Sequence, residues 1–152
     1  MGLRLEGKAV VKSLRDNLKN RIAILADKGV VPTALIIRVG AREDDLSYER
    51  GILRGCEALA INGRVLELPE DVSQEQLLDE IEVANKNSEI HGIMVFRPLP
   101  AHIDPNAVAE AINPDKDIDC MSPINLERVF EGKSKSFVPC TPKAVIESAA
   151  TA

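Results

Sequence analysis

The sequence predicts an α/β fold: a three-layer domain with a short parallel sheet of three to four strands flanked by helices. Two observations carry that prediction. Segments with apolar residues at helical spacing alternate with short apolar runs, in the order helix, strand, helix, strand, helix, strand, helix, then a loop-rich tail. Such alternation implies right-handed crossovers and hence parallel strands. The strongest strand candidate, Thr33 to Val39 (Thr-Ala-Leu-Ile-Ile-Arg-Val), is a near-continuous apolar run, as in a strand covered on both faces.

Each element has its own signal. Residues 5–28 place Val11, Leu14, Leu18, Ile22 and Leu25 on one stripe, read as the inner face of a helix. Gly29 ends that helix and Pro32 prevents its resumption. After the 33–39 strand, Gly40 starts a polar loop. Asp44 or Asp45 is then placed to cap a helix with Ile52, Leu53, Cys56 and Leu59 inside. Asn62-Gly63 reads as a turn before a short strand near Val65 to Leu68. In Ser73-Gln74-Glu75-Gln76 the hydroxyl can accept from the Gln76 amide while the Gln76 side chain reaches back, a capping box. The helix it opens buries Leu77, Leu78, Ile81 and Ala84.

His91-Gly92 leads into a strand over Ile93 to Phe96. Pro98-Leu99-Pro100 stiffens the chain beyond that strand. Asp104-Pro105 reads as N-cap and first residue of a helix that stops at Asn113-Pro114. A fourth strand is expected around Ser136 to Val138, and a last helix from Pro142 through Ile146.

Composition narrows the function classes. The 152 residues are a one-domain length, and 45% hydrophobic with 28% charged residues is the make-up of a globular chain. A net charge of −5 disfavours a general nucleic-acid binder, which needs a basic face to displace counterions. One Tyr, three Phe and no Trp leave little for a base-stacking platform. No apolar run approaches the roughly 18 to 20 residues that span a membrane. The N-terminus lacks the order of a signal peptide. Cys56, Cys120 and Cys140 are odd in number and widely spaced, so neither a disulfide framework nor a zinc pattern is expected. A reducing cytoplasm fits that usage.

Several residues carry candidate chemistry. Tyr48, the lone tyrosine, comes after the first strand, where open α/β sheets place ligands. Ile52, one turn later, cannot transfer a proton. The Gly40–Asp44 loop has too few glycines for a phosphate cradle or a dinucleotide fingerprint. Asp115-Lys116-Asp117-Ile118-Asp119 starts like a calcium loop, but Cys120 and Leu126 stand where Gly and a bidentate Glu are required, so no metal is expected. The segment reads either as a solvated acidic turn or as a turn that aims Asp119 into a pocket. Cys140 reads as a packed, inert thiol, and His91 and His102 as non-catalytic. The ends of the first and third strands and the Asp119 turn should converge at the carboxyl edge of the sheet. An aromatic plate, a Pro-Leu-Pro wall and one acceptor there suit a flat, amidine-bearing heterocycle.

Those residues resemble a known family. Gly-Ile-Met-Val-Phe-Arg-Pro-Leu-Pro (92–100), Lys-Asp-Ile-Asp (116–119), Pro-Cys-Thr-Pro (139–142), and Val39-Gly40 followed by Tyr48, are similar to four signatures of the methylenetetrahydrofolate dehydrogenase/cyclohydrolase family. The resemblance covers 1–152 as the family's N-terminal, tetrahydrofolate-binding catalytic domain. The family's Rossmann domain, which would come after Pro142 and bind NAD or NADP, is absent from this chain. The resemblance implies catalytic roles for Tyr48 and Asp119, with Tyr48 stacking near the folate and Asp119 holding the pterin N–H groups. It implies a substrate pocket lined by Pro98, Leu99 and Pro100, with Thr141 on the cofactor side. It also implies a homodimer for a full-length parent, built largely through the absent domain, and a monomer for this chain.

Departures from the bifunctional pattern matter. A serine is replaced by Asp45, a lysine by Ile52, a glutamine by Phe96, and two glycines by Cys120 and Ala144. The lysine and glutamine are the polar pair tied to water addition. General acid–base help is worth roughly 10²- to 10⁴-fold, and Ile52 offers none. Asp45 or Glu49 could favour a developing positive charge instead. The expected activity is therefore oxidation of methylenetetrahydrofolate with NAD(P)+, in the manner of the monofunctional branch. Two readings stand beside it: a bifunctional enzyme, or an isolated folate-binding domain without turnover. A flavodoxin-like signalling domain would need an acidic phosphoacceptor at a strand end, and neither Val39 nor Phe96 is one.

Overall fold

Three parallel strands form the sheet: β1 (Thr33–Val39), β2 (Asn62–Leu68) and β3 (Gly92–Val95), in the order β2-β1-β3. The structure, a computed structural model, describes residues 7–133 and 137–150. Around the sheet lie α1 (Gly7–Ala26), α2 (Glu43–Ala58), α3 (Gln74–Lys86), α4 (Pro105–Ala111), α5 (Pro123–Phe130) and α6 (Cys140–Ala150). β1 is central, pairing Thr33 with Asn62 through Val39 with Leu68 on one side, and Ala34 with Gly92 through Ile37 with Val95 on the other. All three strands therefore end at one edge.

The continuous apolar run of β1 is explained by this position. Leu35 and Ile37 join the main core with Leu77 and Ile81 of α3, Ile93 and Val95 of β3, and Val108 of α4. By strand alternation Ile36 and Arg38 face the other way, toward α2. Ile36 is buried. Gly63 of β2 meets α2 so closely that a Cβ there would lie 2.8 Å from the Leu53 Cδ2.

Several expectations are corrected. Asn62-Gly63 is not a turn but the start of β2. The reversal is made earlier, at Leu59-Ala60, with Ala60 at φ 56. Neither Asp44 nor Asp45 caps α2. Arg42 is the N-cap, without a side-chain hydrogen bond, and both aspartates sit in the first turn, where negative charge complements the helix dipole. The Ser73–Gln76 capping box and the Asp104 cap before Pro105 form as expected. α5 lies in the stretch expected to be loop-rich; Ser122 and Pro123 start it.

The expected fourth strand does not form at Phe137 and Val138, and Ser136 lies outside the described residues. The place beside β3 is taken instead by a single parallel bridge, Ile93 to Asp117. The Ile93 amide donates to the Lys116 carbonyl at 2.7 Å, and the Ile118 amide donates to the Ile93 carbonyl at 3.3 Å. The stripe predicted as the inner face of α1 is mostly uncovered: Val11 is 46% exposed, and Leu14 and Leu25 are exposed as well. Of the described residues of α1 only Val10 is buried, and the helix touches α6, whose Val145 and Ile146 are also exposed.

Candidate functional site

The carboxyl edge of the sheet is built on Arg38, one residue before the end of β1. Its side chain is 3% exposed. Its Nε donates to Glu49 of α2 at 2.8 Å, its Nη2 reaches Glu67 of β2 at 3.0 Å, and its Nη1 donates to the Gly40 carbonyl. These partners push the already basic guanidinium further up, with the Glu49 hydrogen bond as the largest cause. One cation thus ties together two strands, the first turns of α2 and the loop after β1. A charged residue inside an apolar run was the available signal for this network, because arginine is almost never fully buried unless paired.

The next arginine fixes the entry to α2. Arg42 grips Asp45 with two hydrogen bonds, at 2.8 and 2.9 Å. Asp45 is buried. This corrects the idea that Asp45 or Glu49 offers free negative charge to a ligand. Both carboxylates already face arginines, so their fields are largely neutralised locally.

Tyr48 projects from the outer side of α2, 61% exposed. Its ring lies 5.5 Å from that of buried Phe96, tilted by 37°, within the range of favourable aromatic pairs. Tyr48 and half-buried Ile52 line one shallow depression with Asp44, Ser47 and Gly51. No lysine or histidine is in its lining.

Phe96 begins the segment that leaves β3. Its amide still bonds the Ile37 carbonyl at 2.9 Å, so the ring is held as firmly as a strand residue. Pro98, Leu99 and Pro100 come next, with a cis Arg97–Pro98 peptide. One side of this wall faces Val39, Gly40 and Glu70 across a cleft. The other side, with Arg97, Ile103 and Pro105, borders an open hollow of about 620 Å³. The expected crevice is therefore a row of adjoining depressions that share the Pro-Leu-Pro wall.

The acidic turn divides its labour. Asp117 is fully buried and accepts from the Met121 amide at 3.0 Å, the Ser122 amide at 2.8 Å and the Asn125 side chain at 3.0 Å. The reading of a solvated acidic turn is thereby corrected: Asp117 organises the turn and the start of α5. Asp119, two residues beyond the bridge to β3, reaches the site edge with 28% of its side chain exposed. Burial pushes its carboxyl above the usual range, Arg97 opposes that, and Asp117 adds repulsion. The Arg97 Nη2 lies 3.6 Å from the Asp119 Oδ2. Asp115 turns away toward Arg128, at 3.6 Å. Among the described residues no group of three or more His, Cys, Asp or Glu converges to hold a metal ion.

Between Asp119 and α5 stands Cys120 at φ 57, the left-handed region. The glycine that the family pattern places there is thus explained, and the cysteine carries a strain of about 1 kcal/mol. Burial, with the charges of Asp117 and Asp119, pushes its thiol up and keeps it protonated. Cys140 is exposed, not packed as expected. Its Sγ approaches the Ile118 carbonyl at 4.0 Å, which brings the first turn of α6, including exposed Thr141, beside the Asp119 turn. The histidines lie elsewhere. His91 Nδ1 accepts from the Thr33 amide at 3.2 Å at the amino edge of the sheet, and His102 Nε2 contacts the Val72 carbonyl at 2.9 Å. Arg97 was missed in the sequence, where it is one exposed basic residue among many.

Residues 5–119 match the family model for the tetrahydrofolate dehydrogenase/cyclohydrolase catalytic domain. The chain is 46% identical over 147 residues to the bifunctional protein FolD of Clostridium kluyveri, covering 97% of this chain and 52% of that one. Among solved structures, it is similar to the bifunctional FolD methylenetetrahydrofolate dehydrogenase/cyclohydrolase of Campylobacter jejuni, with a TM-score of 0.93, 33% identity, and 97% and 52% of the two chains covered. It is likewise similar to the Trypanosoma brucei methylenetetrahydrofolate dehydrogenase-cyclohydrolase solved with NADP cofactor and inhibitor, with a TM-score of 0.90, 33% identity, and 99% and 52% covered. The chain spans about half the length of the relatives it matches.

Proposed function

The chain belongs to the tetrahydrofolate dehydrogenase/cyclohydrolase family, and from that premise we propose that residues 1–152 are the folate-binding half of a methylenetetrahydrofolate dehydrogenase. The reaction is oxidation of 5,10-methylenetetrahydrofolate to 5,10-methenyltetrahydrofolate, a step of one-carbon metabolism. The observation that carries this reading is the aromatic pair Tyr48–Phe96 beside the Pro-Leu-Pro wall, with a partly buried carboxylate, Asp119, at the same edge.

Each group has a task. Tyr48 offers a plate for the pterin and an O–H for hydrogen bonding. Asp119 accepts from the pterin amino and ring N–H groups. Pro98, Leu99 and Pro100 orient the ring rigidly, and orientation is the main demand of hydride transfer. NAD+ or NADP+ supplies the hydride acceptor. The described residues contribute Thr141 to its side of the site and hold no glycine-rich phosphate cradle, so the dinucleotide is bound mainly outside these residues. Hydration of the methenyl product needs a proton carrier near the substrate carbon. Ile52 and Phe96 put apolar side chains where the family's lysine and glutamine would stand, Asp45 and Glu49 are engaged by arginines, and Asp44 and Ser47 are the polar groups left beside Tyr48. The cyclohydrolase step is therefore suppressed.

A bifunctional enzyme is the second reading, favoured by 46% identity to a relative named bifunctional. No helix among the described residues is long and apolar enough to cross a membrane. Three free cysteines suit a cytoplasmic protein. For the longer protein we expect a homodimer built largely outside these residues, and for this chain a monomer.

The test uses the full-length parent. Its methylenetetrahydrofolate-dependent reduction of NAD(P)+ should be robust, with methenyltetrahydrofolate hydrolysis no faster than buffer. Hydrolysis above the buffer rate that is abolished by Tyr48→Phe or Asp119→Asn would establish the bifunctional reading. An inactive parent that still binds tetrahydrofolate would leave only a binding module.

A further inference from the structure

Asp119 is placed awkwardly for a hydrogen-bond acceptor. Most of its side chain is out of water, and the buried carboxylate of Asp117 lies two residues away. Burial and a like charge nearby disfavour the ionised form, and a carboxyl that takes up a proton loses acceptor capacity toward N–H donors. The charged groups that act on Asp119 are few. Asp117, on its own turn, raises its carboxyl, and Arg97, on the segment leaving β3, lowers it; burial is the largest cause overall. The neighbouring thiol of Cys120 is kept protonated and brings no charge.

Arg97 is well placed for a counterion. It sits between Phe96, which supports Tyr48, and Pro98, which begins the wall. The Phe96 amide bond to Ile37 anchors the backbone one residue before it. Its side chain is 54% exposed, so the guanidinium approaches Asp119 from the solvent side rather than from the core.

We propose that Arg97 is a positioning residue for the substrate site: its guanidinium, 3.6 Å from Asp119, holds that carboxylate in the charged acceptor form that a ligand's amino and ring N–H groups require. The ligand class, a reduced folate, rests on the function proposed above; the ion pair itself does not. Lysine at the same position would preserve the charge but not the planar fork, so it should do the work in part.

The experiment tracks the Asp119 carboxyl by NMR, with isotope-labelled aspartate, through a pH titration of this chain, Arg97→Leu and Arg97→Lys. Asp119→Asn identifies the resonance. In Arg97→Leu the Asp119 midpoint should move up, and in Arg97→Lys it should lie between the two. Molar salt screens an exposed pair, so it should raise the wild-type midpoint and leave Arg97→Leu nearly unmoved. That salt comparison on the wild-type chain stands even if the leucine variant fails to fold. Tetrahydrofolate affinity, measured on the same proteins, should fall about threefold in Arg97→Leu under mildly acidic conditions, the scale of an exposed ion pair. Above neutral pH the loss should be smaller. A midpoint independent of both Arg97 and salt would overturn the proposal. Normal titration shifts with no tetrahydrofolate binding by any variant would overturn the folate reading and leave the ion pair standing.

Discussion

Replacing Arg38 by methionine is the sharpest test of how the site is held. The two ion pairs of Arg38 are unequal. Glu67 is 63% exposed and can return to water, so its share is about 0.2–1 kcal/mol. The Glu49 side chain is only 13% exposed, and losing its partner strands a carboxylate; breaking such a buried pair costs about 3–5 kcal/mol. The bond to the Gly40 carbonyl is lost too. Methionine refills most of the volume, which keeps any cavity contribution small. Glu49 retains some contact with water, so the lower end applies and the expected loss is about 3 kcal/mol. For a chain of this length that corresponds to roughly 6–12 °C in Tm. Urea unfolding followed by circular dichroism measures it, with an unchanged slope showing that the denatured state is unaffected. Arg38→Met combined with Glu49→Gln removes the stranded charge and should recover more than half of the loss. A single-variant loss below about 1 kcal/mol, or a double variant no more stable than the single, would refute the argument that a stranded carboxylate dominates.

Two further outcomes are expected. At Gly92 an added Cβ would lie 2.5 Å from the Ile118 Cγ2, on a stiff β-branched side chain one residue before Asp119, whereas at Gly63 it would meet the end of the flexible Leu53 side chain at 2.8 Å. Gly92→Ala should therefore lose about 1–3 kcal/mol in urea unfolding and weaken tetrahydrofolate binding, while Gly63→Ala loses less and binds normally; the opposite ranking would contradict the close packing of β3 on the 117 segment. Asp119→Asn should show an unusual pH dependence. Burial raises the folded-state carboxyl above its unfolded value, so the folded chain holds this proton to higher pH, and ionisation subtracts stability as pH rises through that window. The stability of Asp119→Asn relative to wild type should thus grow from acidic to neutral pH, and a gap that stays constant or shrinks across that range would show that Asp119 is not held up by burial.

Much of this architecture was legible in the chain because it rests on local chemistry. The run 33–39 has enough β-branched and apolar residues to demand burial on both faces, and the structure places it at the sheet centre. Ser73 and Gln76 satisfy each other's backbone within one turn, so the start of α3 needed no tertiary information. The motifs around Tyr48, Pro98–Pro100 and Asp119 pointed to one sheet edge because parallel strands must all end on the same side.

Tertiary structure decided the rest, for reasons that sequence distance hides. Asn62-Gly63 has turn chemistry, yet Gly63 is needed where a strand presses on α2. Asp117 and Asp119 are two residues apart and alike in type. The bridge to Ile93 and the amides of Met121 and Ser122 bury the first as scaffold, and leave the second at the rim. The stripe of α1 has the period of a buried face but little in the described residues to cover it, since amphipathicity marks a face that seeks a partner without supplying one. In the sequence Arg38 is a lone charge inside an apolar run, and Arg42 and Arg97 look like ordinary surface charge. Only their distances to Glu49, Asp45 and Asp119 reveal which carboxylates they hold, because ion pairing depends on separation in space, which the chain sets only once it has folded.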